Sequence, residues 1–132
     1  TLGMTRECLS SVVAGLGALR AEVIVVDNAS KDGSPEMVER EFPAPGVRLI
    51  RNSDNRGFAA ANNQAFREAT GKYVLLLNSD TVVLGDVLER SVEYMERNPG
   101  VGAMGCRVLN TDRTLQRTCS MEPGPLNLGL ML

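Results

Sequence analysis

The chain has 132 residues, 43% of them hydrophobic and 23% charged, with a net charge of -2, a composition that fits one soluble globular domain burying about two-thirds of its unfolded surface. The near-neutral balance excludes polyelectrolyte character, so nucleic acid is not an expected partner. Three cysteines, Cys8, Cys106 and Cys119, with no histidine anywhere, make neither a disulfide framework nor a zinc set and read as reduced, buried thiols.

In chain order, Leu9, Val12, Val13 and Leu16 recur at helical spacing behind Thr5 as N-cap, and Gly15 and Gly17 end that helix. Val23 to Val26 is a continuous β-branched run, the pattern of a strand covered on both faces, stopping at Asp27. Ser34-Pro35-Glu36 combines an N-cap, a proline and a first-turn acid, and opens a short helix to about Glu41. Val47 to Arg51 reads as a second strand. Asn52 to Gly57 is then a polar loop before a helix marked by Phe58, Ala61, Ala65, Phe66 and Ala69 at helical spacing, ended by Gly71.

Tyr73 to Leu77 is the most apolar stretch and reads as a third strand, followed by a helix with Leu84, Leu88, Ser91, Val92 and Met95 on its inner face. Val101 to Gly105 is expected as a fourth strand, Asn110 to Arg113 as a turn, Leu115 to Ser120 as a short strand and Leu126 to Leu132 as an apolar tail. Alternating strands and helices imply an α/β fold with a mostly parallel sheet between helices.

In such sheets ligands bind beyond the carboxyl ends of the strands. Two expected strands end on polar clusters: Asp27-Asn28-Ala29-Ser30-Lys31-Asp32-Gly33-Ser34 and Asn78-Ser79-Asp80-Thr81. Both should face one edge, where Asp27 and Asp80 could serve a nucleotide diphosphate, which needs a base acceptor, ribose partners and a divalent cation. Asn52, Asn55, Arg56, Gly57, Asn62 and Asn63 add amides able to bind sugar hydroxyls or phosphate. Each cluster also has a purely local reading, because these residue types make turns and caps in any protein.

Three stretches in fixed order, Val-Ile-Val-Val-Asp-Asn-Ala-Ser-Lys-Asp-Gly-Ser, Asn-Arg-Gly-Phe-Ala-Ala-Ala-Asn-Asn and Tyr-Val-Leu-Leu-Leu-Asn-Ser-Asp-Thr, resemble the family-two glycosyltransferases, especially their rhamnosyltransferase-like branch. The resemblance implies a GT-A fold and an inverting hexosyltransferase type of enzyme. Its donor would be a nucleotide diphosphate sugar, with rhamnose as one option, and its acceptor a saccharide or glycolipid in bacterial cell-surface polysaccharide assembly. Asp27 would recognise the base, with Asn28, Ser30 and Asp32 beside it. Asn55, Gly57 and Asn62 would shape the donor pocket with Asn78 and Ser79, and Asp80 would hold Mg2+ or Mn2+. The family's metal motif is commonly Asp-x-Asp, and Asn78 stands at its first position. No acid after Asp80 matches the family's general base, so no catalytic residue is named.

Family members open with an apolar strand, and this sequence starts just after the corresponding point. Residues 1-132 are therefore expected to be one partial domain, lacking its first strand and C-terminal part. The slot in its sheet would be filled by a second copy or by residues outside the sequence. A nonenzymatic nucleotide-binding or assembly module is the alternative, and a nucleotidyltransferase a weaker one, because no glycine-rich loop with a basic residue is present. No apolar run approaches the roughly 20 residues needed to span a bilayer; the expected setting is cytoplasmic, with a peripheral place at the inner face of the cell membrane left open.

Overall fold

The computed structural model describes residues 1-117. Thr1–Pro99 form one compact unit, and the described residues from Gly100 onward belong to another. In the first, the elements run α1 (Leu2–Gly15), β1 (Val23–Asn28), α2 (Ser34–Glu41), β2 (Val47–Asn52), α3 (Phe58–Glu68) and α4 (Val87–Arg97). β1 and β2 pair in parallel, from Val23↔Val47 to Asn28↔Asn52, with α2 in the connection between them. The class is α/β, consistent with the GT-A fold.

The register sorts the side chains onto two faces, because successive residues of a strand alternate. Val23, Val25, Val47 and Leu49 share one face and pack with Leu2 and Leu9 of α1 and Met37 and Val38 of α2, together with Phe42. Arg51, two residues on from Leu49, meets Glu36 and Glu39 of α2. On the other face Arg48 pairs with Glu68 of α3 at 3.1 Å. Ala61 is the buried residue of α3, while Phe58 and Phe66 are 67% and 44% exposed. Of the apolar residues at helical spacing, it is alanine and not phenylalanine that is buried, and α3 lies against β1 through that small side chain, which permits close approach.

The helix starts also differ from the sequence reading. α1 begins behind Thr1, and the Thr5 hydroxyl donates back to the Thr1 carbonyl at 3.1 Å instead of capping. α2 has Gly33 as its N-cap, at φ 82°, with Ser34 inside the helix. α4 starts at Val87, so Leu84 lies before it and is exposed, while Leu88, Ser91, Val92 and Met95 are half-buried. Glu89 of α4 accepts from the Ala18 amide at 2.9 Å, beside Gly17 at φ 53°.

The third and fourth strands expected at 73-77 and 101-105 are absent. Val74, Leu75 and Leu76 are 48%, 57% and 51% exposed. A strand exists only by pairing its backbone groups, and apolar β-prone sequence cannot make one without a neighbour. In the second unit an antiparallel bridge, Leu109↔Leu115, closes the expected turn. There Asn110 donates to the Thr114 carbonyl at 2.8 Å, and Asp112 accepts from the Thr114 amide at 2.9 Å. The rest of the strand expected to Ser120, the tail at 126-132 and Cys119 lie outside the described residues. Cys8 is buried as expected, but Cys106 is exposed, because no strand at 101-105 carries the chain into a core. Among the described residues no helix is long and apolar enough to cross a membrane.

Met37 is 1% exposed at the centre of the core, whereas Met4 on α1 is 51% exposed. Met37→Ala is expected to cost about 2–5 kcal/mol in denaturant unfolding and Met4→Ala less than about 0.5 kcal/mol; equal losses would contradict this core. The Arg6 guanidinium, bonded to Glu41 at 2.7 Å, and then Arg40 hold the Glu41 carboxyl down at about 2. A depressed carboxylate adds stability that is complete above the ordinary glutamate range and is lost as pH falls toward 2. Glu41→Gln should therefore lower stability at neutral pH and flatten the acid limb, the variant and parent profiles converging as pH falls toward 2.

Candidate functional site

A cleft of about 230 Å³ opens at the carboxyl end of β1. Its polar rim comes from Asp27, Asn28, Ser30, Asp32 and Ser79, all expected from the sequence, and from Thr1, Thr5 and Ser34. Val25, Val26, Val38 and Leu49 supply the apolar lining. Ser34 belongs to the polar cluster that the sequence shows after β1, whereas Thr5 reads from the sequence as a cap and Thr1 carries no signal there. Asn55, Gly57, Asn62, Asn78 and Asp80 do not line this cleft.

Asp27 is 9% exposed, and both its carboxylate oxygens accept from the Ser30 amide, at 3.3 and 3.2 Å. Ala29 between them sits at φ 63°, a left-handed conformation costly for alanine. The turn thus folds the chain back so that its own amide meets the carboxylate. Asp32 accepts from the Ser34 amide at 3.0 Å and from its hydroxyl as well. The Ser34 hydroxyl, then its amide, hold the Asp32 carboxyl below its ordinary range. Asp32 therefore builds the entry to α2, and Ser30 and Ser34 are brought to the rim by the two aspartates.

Asn28 donates to the Gly57 carbonyl at 3.3 Å and accepts from Asn52 at 3.0 Å, so its amide is engaged on both sides. Asn55 accepts from the Gly57 amide at 2.9 Å. Asn62 donates to the Phe58 carbonyl one turn back, at 2.9 Å. These three asparagines shape the loop and the start of α3.

The Asn78–Asp80 turn is held by α1. Cys8 donates to the Asn78 carbonyl at 3.5 Å, and Ser11 accepts from the Val83 amide at 2.9 Å. Burial, ahead of the nearby Asp80 charge, pushes the Cys8 thiol up, consistent with a neutral thiol acting as donor. This clamp brings Ser79 to the same cleft as Asp27 although the segment before it is not a strand. Asp80 is exposed. Among the described residues no group of three or more His, Cys, Asp or Glu side chains is placed to hold a metal ion. A single exposed carboxylate suits a hard cation that arrives with phosphate oxygens and keeps waters of its own.

A polar cleft at the carboxyl end of a parallel strand lies where open α/β sheets bind their ligands. The chain belongs to glycosyl transferase family 2, whose profile matches residues 3–126. It is 42% identical over 72 residues to the succinoglycan biosynthesis protein ExoO of Rhizobium meliloti, covering 54% of this chain and 20% of that protein. It is 33% identical over 95 residues to a putative teichuronic acid biosynthesis glycosyltransferase, TuaG, of Bacillus subtilis, covering 70% and 38%. With the poly-beta-1,6-N-acetyl-D-glucosamine synthase of Staphylococcus epidermidis it shares 29% identity over 119 residues, covering 89% and 29%. These matches thus span between a fifth and two-fifths of the relatives' length. No solved structure gives a significant match.

Gly57 adopts φ 79°, ψ 167°, a region in practice restricted to glycine, and a Cβ there would meet open space. Gly57→Ala is expected to lower stability by about 1–3 kcal/mol through backbone strain alone, read as a drop in melting temperature; an unchanged melt would mean that this turn is not held as described.

Proposed function

We propose that this chain forms the donor-binding part of a glycosyltransferase acting in polysaccharide assembly, holding a nucleotide diphosphate sugar in the cleft beyond β1. The observation that carries the reading is the buried Asp27 carboxylate at the carboxyl end of β1, with Ser30, Ser34, Thr5 and Ser79 around it. A carboxylate in that place accepts a base N–H, the hydroxyls exchange hydrogen bonds with ribose, and the apolar lining covers a ring face. The family and the polysaccharide named in each of the three relatives support this assignment. A deoxythymidine or uridine diphosphate sugar, with rhamnose as one candidate, is the donor class.

Asp80, exposed at the turn that carries Ser79, is the residue we assign to Mg2+ or Mn2+, with Asn78 as a neutral neighbour. Such an ion would neutralise charge on the departing diphosphate. In inverting transfer the acceptor oxygen bonds to the anomeric carbon as the bond to the diphosphate breaks, and the acceptor proton passes to a base on the opposite side. The described chain supplies the donor side of that arrangement: Asp27 and the hydroxyl rim orient the nucleotide, and the Cys8–Ser11 clamp fixes the Asn78–Asp80 turn.

Calorimetric titration with uridine and deoxythymidine diphosphates, with and without Mn2+, tests the assignment. Binding strengthened by Mn2+ is expected. Asp27→Ala should weaken it about tenfold or more, and Asp80→Ala should bring the affinity in Mn2+ down to the metal-free level. A folded chain that binds neither diphosphate would overturn the reading, and a melting curve on each variant separates loss of binding from loss of fold.

A further inference from the structure

We propose that Asn52 is a positioning residue for the donor site, acting through Asn28 on the turn at Gly57; the proposal rests on the donor-binding reading above. Asn52 ends β2, is 7% exposed and stands in register opposite Asn28. The Gly57 carbonyl can only accept, so the Asn28 amide turns its Nδ2 toward it, at 3.3 Å. That leaves Asn28 Oδ1 facing Asn52, whose Nδ2 donates at 3.0 Å. The direction of the relay is therefore fixed by the backbone group at its end.

Gly57 is held on both of its peptide groups. Its amide donates to Asn55 Oδ1 at 2.9 Å, and its carbonyl also accepts the first backbone bond of α3, from Ala61 at 3.2 Å. Asn28 follows Asp27 in β1 and lines the cleft. One amide relay thus links the buried end of the sheet to the start of α3, beside the carboxylate assigned to the base. Only a side chain that accepts on one atom and donates on another can occupy its middle, and a hydrogen-bonded chain of amides in a half-buried place favours one arrangement.

Two substitutions cut the relay at different links. Asn52→Ala removes the donor that orients Asn28. Asn28→Asp keeps an acceptor for Asn52 but cannot donate to Gly57. In amide-resolved NMR spectra of the full chain, each is expected to shift the Gly57 N–H resonance. Each should also weaken uridine diphosphate binding about tenfold. The double variant should bind no more weakly than Asn28→Asp alone, because both changes break one path. A Gly57 resonance unmoved in either folded variant, or losses that add in the double variant, would overturn the proposal. Should Asn52→Ala not fold, Asn52→Asp, which keeps the side-chain shape but cannot donate to Asn28 Oδ1, takes its place with the same two readouts. A Gly57 shift in a chain whose unsubstituted form binds no uridine diphosphate would sink the donor reading while leaving the relay in place.

Discussion

The parallel pairing of β1 with β2 is the constraint on which the unit of residues 1–99 depends, because its register decides which side chains meet which helices. A slip of one residue would exchange the faces of a strand. Val47 would leave the core shared with Met37 and Val38, and Arg51 would leave the carboxylates of α2 for the side occupied by α3. The same register brings Asn28 opposite Asn52, joining the sheet to the Gly57 turn. Core packing, surface ion pairs and the polar end of the sheet thus agree on one alignment.

Around the cleft and the Gly57 turn, several of the motif side chains are engaged with the backbone. Asp32 holds the start of α2, Asn55 and Asn28 hold Gly57, and Asn62 bonds within its own helix. Buried or crowded polar groups must be satisfied somewhere, and in a loop-rich site the nearest partners are backbone amides and carbonyls. The proposed donor site therefore draws on fewer groups than the motifs contain: the Asp27 carboxylate with its lone pairs beyond the Ser30 contact, the hydroxyl rim, and Asp80. The remaining motif residues fix the shape into which a donor would fit.

The sequence alone made the α/β class legible, with the first two strands, the helices at 34–41 and 58–68, the turn at 110–113 and the cluster after β1. These follow from hydrophobic periodicity, from glycine and proline punctuation and from turn-forming residues, all properties of short segments. Tertiary structure alone decided whether Tyr73–Leu77 and Val101–Gly105 become strands, since a strand is defined by a neighbour that local sequence does not contain. It also decided which helix face is buried on α3, because the distance between helix and sheet selects alanine over phenylalanine. Likewise, which motif residues reach the cleft, Asn28 and Asp32 with Asp27 and Ser79 but not Asn55, Asn62 or Asp80, depends on where other segments arrive, and hydrogen bonds across 24, 29 and 70 residues cannot be read from spacing.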